Sequence, residues 1–417
     1  MEEIKFSLDT FYALMSGALV MWMAAGFTML EAGLVQKKDV AEIVTKNLGL
    51  YSIACIMYLL CGFALMYPSG SLFQGTFLAN IFPFIGSSTG LSTSLPLNEI
   101  GIEYSMEYSQ QADFFFQVVF VATAMSIVSG AVAGRMRILP FFLFAIVLTG
   151  FIYPVQGYWN WGEGFLNKLG YSDYAGSGTV HLTGAAAALA VVIALGSRTG
   201  KFNADGTSNA LPGSNIPMAA LGAWILWLGW FGFNGGSELV LSSEASAIAV
   251  SQVFLNTNMA ATGGVLGALL LGLFRTGKLD VTMAINGAIA GLVAITAGPS
   301  APTAGEATLI GFVGGLIVYL SILFIEQRFK IDDPVGAISA HGVVGIFGVI
   351  VVPFTNSDAS FLVQFYGVLA ISIFTFVASY GSIYFINKLL PIRASDEEQF
   401  LGLDVTEIGV EAYPEFK

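Results

Sequence analysis

The sequence predicts an all-α polytopic membrane protein, and three features lead to that prediction. The 417 residues are 55% hydrophobic, only 11% of them are charged, and the apolar residues are grouped in long runs. Soluble proteins average about 25% charged residues, so this chain cannot cover a water-facing surface of the required size. A soluble enzyme is therefore excluded. A surface that binds nucleic-acid phosphates is excluded as well, because the net charge is −12.

Eleven transmembrane helices are predicted when the chain is scanned for runs of about 20 apolar residues, the length that spans a bilayer. Their approximate extents are 10–34, 42–67, 114–133, 138–155, 174–195, 215–236, 247–274, 279–298, 306–326, 335–353 and 361–386. We expect one membrane domain over residues 1–386. A polar tail over residues 387–417 is too short to form a core of its own.

The basic residues fall almost entirely on one side of this series of helices. Of the 16 lysines and arginines, only Lys5 and Lys168 lie on the other side, and the long loop at about 67–113 has none. Cytoplasmic loops collect Lys and Arg. We therefore expect the N-terminus outside, the C-terminus in the cytoplasm, and a multi-pass protein of the plasma membrane.

Two similar segments indicate an internal repeat of opposite orientation. The fifth predicted helix contains D-Y-A-G-S-G-T-V-H, from Asp173 to His181, and the tenth contains D-P-V-G-A-I-S-A-H, from Asp333 to His341. The two copies lie an odd number of helices apart, so the second enters the membrane from the opposite side. This predicts an inverted 5+5 repeat plus one C-terminal helix, a plan common in transporters. The predicted units are repeat one at about 10–195, repeat two at about 215–353 and helix eleven at about 361–386.

The two histidines of the chain, His181 and His341, are both predicted to lie inside membrane helices. An ionisable side chain in the membrane is costly to bury and is usually functional. The alternatives are a histidine that bonds a neighbouring helix and a metal ligand, although two histidines without a nearby thiolate make a poor metal site. At 1.5 Å per residue each histidine lies about 10 Å deep, from opposite faces. Contact between them therefore requires tilted helices or different helix ends.

The predicted helices offer almost no charges to a permeating ion. A dehydrated monovalent ion would cross at a cost of several kcal/mol or more, whereas a neutral solute avoids that cost. Aromatic rings at Phe116, Phe120, Trp161 and Phe233 could first hold a cation, at about 0.5–2 kcal/mol per ring. The alternative for any one ring is packing or anchoring at the membrane interface. No cofactor and no metal are expected, and no nucleophile–base pair indicates an enzyme.

At these residues the chain resembles the ammonium transporter family (Amt/Mep/Rh), over nearly its whole length. The motifs that carry the resemblance are G-F-T-M-L-E-A-G-L-V-Q-K-K-D from Gly26, D-Y-A-G-S-G-T-V-H, W-F-G-F-N-G-G-S, N-G-A-I-A-G-L-V-A-I-T-A-G from Asn286, D-D-P-V-G-A-I-S-A-H-G-V-V-G-I, and the tail G-L-D-V-T-E-I-G-V-E-A-Y. Six motifs in the order of the family make the match specific.

The resemblance implies an eleven-helix homotrimer with one ammonium pore per subunit. By motif position, its residues are Phe116, Trp161 and Ser237 in an outer cage that recruits ammonium, Phe120 and Phe233 in a pair of rings that closes the pore, and His181 and His341 lining the pore below. A buried carboxylate, matched by Asp173, supports recruitment and deprotonation. Asp333 is its structural counterpart in the second repeat.

The resemblance also implies a partner at the cytoplasmic tail, because microbial members often receive a PII-type regulatory protein there. Two positions depart from the family pattern. The loop reads Lys38-Asp39 where Lys-Asn is usual, and the tail reads Ile408-Gly409-Val410 where His-Gly-Glu is usual. These departures leave the pore assignment intact, and they argue against coupling between subunits through the tail and against PII regulation.

The sequence thus predicts an ammonium transporter that deprotonates ammonium, conducts ammonia past the histidines and moves net charge. Two alternatives remain: an ammonium sensor, which the short tail disfavours, and a neutral ammonia channel of the Rh type, which the Trp161 and Ser237 pair disfavours.

Overall fold

The computed structural model describes residues 2–67 and 108–415, apart from the side chain of Gln110. These residues form helices and no β-strand. Nine of the helices are long and apolar enough to cross a membrane, and two shorter apolar helices accompany them. In chain order the eleven are α1 (Glu2–Leu34), α2 (Lys37–Met66), α3 (Gln111–Val132), α4 (Ile138–Lys168), α5 (Ser177–Leu195), α6 (Ile216–Gly236), α7 (Glu244–Thr276), α8 (Val281–Ile295), α9 (Ala304–Phe329), α10 (Ile338–Phe354) and α11 (Phe361–Leu389).

Each predicted segment coincides with one of these helices, and most ends agree within about three residues. The largest differences are at the start of α1, which begins at Glu2 rather than near residue 10, and at the end of α4. The hydropathy scan ends a helix at polar residues. A turn with polar side chains can nevertheless stay helical when other parts of the structure form hydrogen bonds with those side chains. Asp9 shows this, because its carboxylate accepts hydrogen bonds from the backbone N–H groups of Leu241 and Ser242 at 2.6 and 2.9 Å. The number of crossings, the orientation of the termini and the domain division stay predictions, and the loop expected at about 67–113 lies mostly outside the described residues.

Helices α3 and α5 form the centre of the bundle. The apolar window of α3 is 94% buried and that of α5 is 83% buried, whereas that of α11 is only 28% buried. A helix that is apolar on all sides can lie at the centre of the bundle or face lipid. Hydropathy alone therefore does not distinguish a central helix from a lipid-facing one.

Glycines allow two pairs of helices to approach closely. In the α1–α6 pair, a Cβ on Gly222 would lie 2.3 Å from the backbone nitrogen of Leu30. In the α7–α9 pair, a Cβ on Gly315 would lie 2.1 Å from the carbonyl oxygen of Gly264. Small residues of this kind increase van der Waals contact between membrane helices. This contact matters because lipid is as apolar as the helices, so no hydrophobic driving force brings the helices together.

The tail packs on one end of the bundle, which we call the tail end. Its short helix α12 (Asp396–Leu401) precedes Leu403 and Asp404, which are buried. Asp39, at the start of α2, accepts a hydrogen bond from the backbone N–H of Leu403 at 3.0 Å. The tail is too short to form a core of its own, and its buried residues pack instead against the membrane helices.

An ion pair joins α5 to α10 at the tail end. The Arg198 guanidinium donates two hydrogen bonds to the Asp332 carboxylate, both at 2.8 Å, and the buried Arg135 donates to the Asp332 carbonyl at 2.6 Å. Burial would raise the pKa of Asp332, but these arginines hold it well below its usual range. Because Arg198 follows α5 and Asp332 precedes α10, the two helices run in opposite directions through the bundle.

Substitution of Gly315 by Val is expected to destabilise the protein, because the new side chain would displace α9 from α7. Overpacking of this kind costs about 1–3 kcal/mol, which should lower the midpoint of thermal unfolding in detergent by several degrees. Gly381 is the matched control, since a Cβ there meets nothing within 4 Å. An equal loss in Gly381→Val would show that the close approach is not the cause.

Candidate functional site

Helices α5 and α10 begin inside the bundle rather than at its surface. Residues 175–181 and 335–341 are buried, and each helix opens with a π-helical turn, at Ser177–Leu182 and Ile338–Val343. Each turn contains one of the two histidines. Short π-helical turns occur frequently at functional sites.

A carboxylate holds the start of each of these helices. Asp173 accepts hydrogen bonds through Oδ2 from the backbone N–H groups of Gly178 and Thr179, at 3.1 and 2.7 Å. Asp333 does the same for α10, accepting from the N–H groups of Gly336 and Ile338 at 3.1 and 2.7 Å. The two segments recognised as a repeat therefore share an aspartate cap, a π turn and a histidine.

The two histidines meet at the centre of the bundle. The Nδ1 atoms of His181 and His341 lie 3.3 Å apart, and the rings stack with centroids 5.1 Å apart. Both side chains are buried, at 0% and 3% exposure. If both imidazoles are neutral, each carries one proton, and one Nδ1–H donates to the other Nδ1. Contact is possible because non-helical chain enters the bundle before each helix begins, which counting along ideal helices did not anticipate.

Aromatic rings continue from the histidine pair towards the end of the bundle opposite the tail, which we call the far end. His181 stacks on Trp230 and Phe233, with centroids 5.0 and 5.2 Å away. Phe233 lies against Phe120 at 4.1 Å, and Phe120 against Phe116 at 4.8 Å. Phe120 and Phe233 are fully buried, so their rings fill the space between the histidines and the far end.

Trp161 and Ser237 lie beyond these rings, where the site becomes partly exposed. The Trp161 ring packs edge-on against Phe120 at 6.0 Å, and its Nε1 donates to the Asp173 carbonyl at 3.0 Å. Ser237 donates its hydroxyl to the Phe233 carbonyl at 2.8 Å, which leaves its oxygen lone pairs free to accept. Ring contacts thus link six of the predicted residues, Phe116, Phe120, Trp161, Phe233, His181 and His341, and Ser237 lies one helical turn after Phe233.

Three residues of this region were not predicted. Trp230 stacks on His181, and its indole donates to Thr296 at 2.9 Å. Its position one helical turn before Phe233 was a signal that could have identified it. Glu238, next to Ser237, accepts a hydrogen bond from Tyr174 at 2.5 Å. Glu31 lies on the other side of the histidines.

A small cavity, with room for about one water-sized molecule, lies on the tail side of the histidine pair. It is lined by Phe27, Leu30, Glu31, Ser126, Ile127, Gly130, Asn286, Ile289, Val335, Ala337, Ala340 and His341. The histidines thus separate a closed column of aromatic rings from this small cavity. Among residues 2–67 and 108–415, no group of three or more His, Cys, Asp or Glu side chains could hold a metal.

Comparisons with known proteins identify the family of this chain. The model of the Ammonium Transporter Family matches residues 11–413. The chain belongs to the Ammonium Transporter Family. It is 37% identical to "Ammonium transporter Amt2" of Archaeoglobus fulgidus, over all of this chain and 90% of the relative, and 31% identical to "Ammonium transporter" of Bacillus subtilis, over 97% and 98%.

Solved structures of the family share the fold. The structure titled "Sensor Amt Protein" has a TM-score of 0.88 and 33% identity, covering 98% of this chain and all of that one. Mep2 of Candida albicans has a TM-score of 0.81 and 25% identity, covering all of this chain and 94% of that one. The protein is thus a multi-pass membrane protein of a transporter family rather than of an enzyme family.

Replacement of Asp173 by Ala is expected to lower the unfolding temperature, because the start of α5 would lose the acceptor of its N–H groups inside the bundle. The loss of a hydrogen bond to a charged group is about 1.5–3 kcal/mol. Asp173→Asn is the matched variant, since its amide oxygen still accepts. We expect it to unfold close to wild type in thermal scans. Equal destabilisation in both variants would show that the charge, and not the capping, stabilises the turn.

Proposed function

We propose that this protein is an ammonium transporter that binds ammonium at the far end, removes one proton and conducts ammonia past the two histidines. The observation that carries the proposal is the contact between His181 and His341 behind a closed column of aromatic rings. A buried pair of neutral imidazoles suits a small solute that both donates and accepts hydrogen bonds. Ammonia is such a solute.

Recruitment is proposed at Phe116, Trp161 and Ser237. A partly dehydrated ammonium ion would gain about 0.5–2 kcal/mol from each ring face and would donate one N–H to the Ser237 oxygen. Asp173 and Glu238 add negative charge at the same end. Asp173 also has one carboxylate oxygen, Oδ1, with no hydrogen-bond partner among the described residues, and this oxygen could help to stabilise the ion before it is deprotonated.

The closed ring column explains why ammonium would lose its proton before it crosses. An intact cation between Phe120 and Phe233 would be stripped of water in an apolar surrounding, which costs many kcal/mol. Ammonia avoids that cost. Potassium has the same charge and no proton to lose, so the dry passage formed by this column together with the histidine pair would exclude it.

The histidine pair is proposed to carry ammonia, and the proton, through the centre. Nε2 of His181 is buried and has no hydrogen-bond partner among the described residues, so it is free to bond ammonia. The shared proton on the Nδ1–Nδ1 contact can move from one ring to the other when a new donor arrives. Net charge movement follows if the proton released at the far end takes this route.

The setting of the protein in the cell is also a proposal. We propose the plasma membrane, with the far end outside and the tail end in the cytoplasm, and a homotrimer as in the resemblance. The tail, docked on α2 through Asp39, presents a surface to which a PII-type protein could bind. The unusual Asp39 is itself used in that docking.

A sensor is the second candidate, because a solved structure titled "Sensor Amt Protein" is 33% identical to this chain. Methylammonium uptake by cells that lack their own ammonium transporters separates the two. A transporter restores uptake in proportion to its expression, whereas a sensor does not. A neutral channel of the Rh type would restore flux without current.

The double variant His181→Ala/His341→Ala is expected to change ion selectivity. Removing both rings opens a wider, wettable passage, so potassium current should appear and ammonium should no longer be favoured over potassium. Currents from purified protein in liposomes measure this directly. Ammonium current and potassium exclusion equal to those of wild type would contradict the proposed role of the histidines.

Ser237→Ala is expected to weaken ammonium recruitment. The loss of one hydrogen bond to a cation should raise the half-saturating ammonium concentration about 3- to 10-fold while the maximal current changes less. Ser251→Ala is the matched control, because this exposed serine donates to the carbonyl four residues earlier at 2.8 Å just as Ser237 does. An unchanged half-saturating concentration in Ser237→Ala would remove Ser237 from the recruitment site.

A further inference from the structure

A buried carboxyl group borders the cavity on the tail side of the histidine pair. Glu31 is 1% exposed and lines this cavity together with His341. Gly130 lines it as well, and a Cβ placed on Gly130 would lie 3.7 Å from Cδ of Glu31. The side-chain carboxyl of Glu31 therefore lies beside the cavity wall.

The two oxygens of this carboxyl group have different surroundings. Oε2 accepts hydrogen bonds from the Ser129 hydroxyl at 2.6 Å and from the Asn47 amide at 3.3 Å. Oε1 has no hydrogen-bond partner among the described residues. A buried polar atom without a partner is rare and calls for an explanation such as a bound ligand or an exchangeable proton.

The charges around Glu31 do not balance. Glu42 and Lys46, both buried, form an ion pair at 3.5 Å, and Lys46 also donates to the Ser129 carbonyl at 3.3 Å. The single positive charge of Lys46 is thus taken by Glu42. A second carboxylate without a positively charged partner is costly in this buried environment. Glu31 must therefore carry a proton or hold a cation.

We propose that Glu31 is the group that returns a proton to ammonia on the tail side of the histidines and then holds the ammonium product. The proposal rests on the proposed function. Ammonia leaving the histidine pair takes the proton of the neutral Glu31 carboxyl: the O–H bond breaks, an N–H bond forms, and ammonium faces the carboxylate. Ammonium leaves through the cavity. The carboxylate is reprotonated by the proton that ammonium released at the far end, relayed through His181 and His341, so charge and protons balance.

The groups that face Glu31 fit this cycle. From α2 come Lys46, Glu42 and Asn47, from α3 comes Ser129, and His341 of α10 lies at the same cavity. The ring of Phe27, also in the cavity wall, can face the ammonium product.

Glu31→Gln tests the proposal, because glutamine keeps the shape and can still accept from Ser129 but has no proton to give. In liposomes, ammonium-evoked current should fall at least tenfold, while permeation of uncharged ammonia stays within twofold of wild type. The control is Glu42→Gln/Lys46→Met, which removes the neighbouring ion pair as a neutral unit and should leave both quantities within twofold.

Each other outcome overturns the proposal. Current above half of wild type in Glu31→Gln shows that the proton does not pass through this residue. Loss of both current and ammonia permeation shows that Glu31 only shapes the pore. An absence of ammonium current in the wild-type protein is a different result, since it overturns the proposed function itself.

A second measurement applies if Glu31→Gln does not fold. In the Glu42→Gln/Lys46→Met background, Glu31 is the remaining carboxyl of the cluster. Infrared difference spectra recorded with ammonium against sodium should show loss of a protonated carboxyl band and gain of a carboxylate band. Identical spectra with both cations would overturn the proposal.

Discussion

The low polarity at the centre of the bundle is the constraint on which the rest of this structure depends. Phe233 and Trp230 stack on His181, and Phe120 packs against Phe233, so closely that an ion there would keep none of its water. Charge in such a place is expensive. The polar groups at this place are the imidazole rings of His181 and His341, which are joined by one Nδ1–Nδ1 hydrogen bond.

The backbone must change form to deliver two histidines to that place. A continuous helix that began at the membrane surface would leave each histidine about 10 Å deep, on its own side and short of the centre. Instead, non-helical chain runs into the bundle, and Asp173 and Asp333 take the N–H groups that each late-starting helix leaves free. In this chain, an aspartate eight residues before a histidine therefore marks each of the two helices that begin inside the bundle.

The two sides of the histidine pair differ in how they provide polar groups. On the far side, Ser237 and Glu238 lie at a partly exposed surface where water remains available. On the tail side, Glu31 lies in a buried cavity beside the Glu42–Lys46 pair. The same turn of α2 also holds the tail, since the backbone N–H of Glu42 donates to Asp404 at 2.9 Å. The ion pair beside Glu31 and the contact with the tail therefore both involve Glu42 of α2.

The sequence by itself determined the class of the protein, the helices and the residues to expect at the candidate site. Hydrophobic runs mark membrane helices well, because every backbone polar group in lipid must be bonded within its own segment. The two histidines stood out because ionisable residues in such runs are rare. Only the tertiary structure decided that their rings touch, that Trp230 stacks on His181 and that Glu31 borders the cavity with one oxygen unpartnered among the described residues. These facts depend on where each helix begins and on contacts between residues far apart in the chain, and hydropathy reports neither.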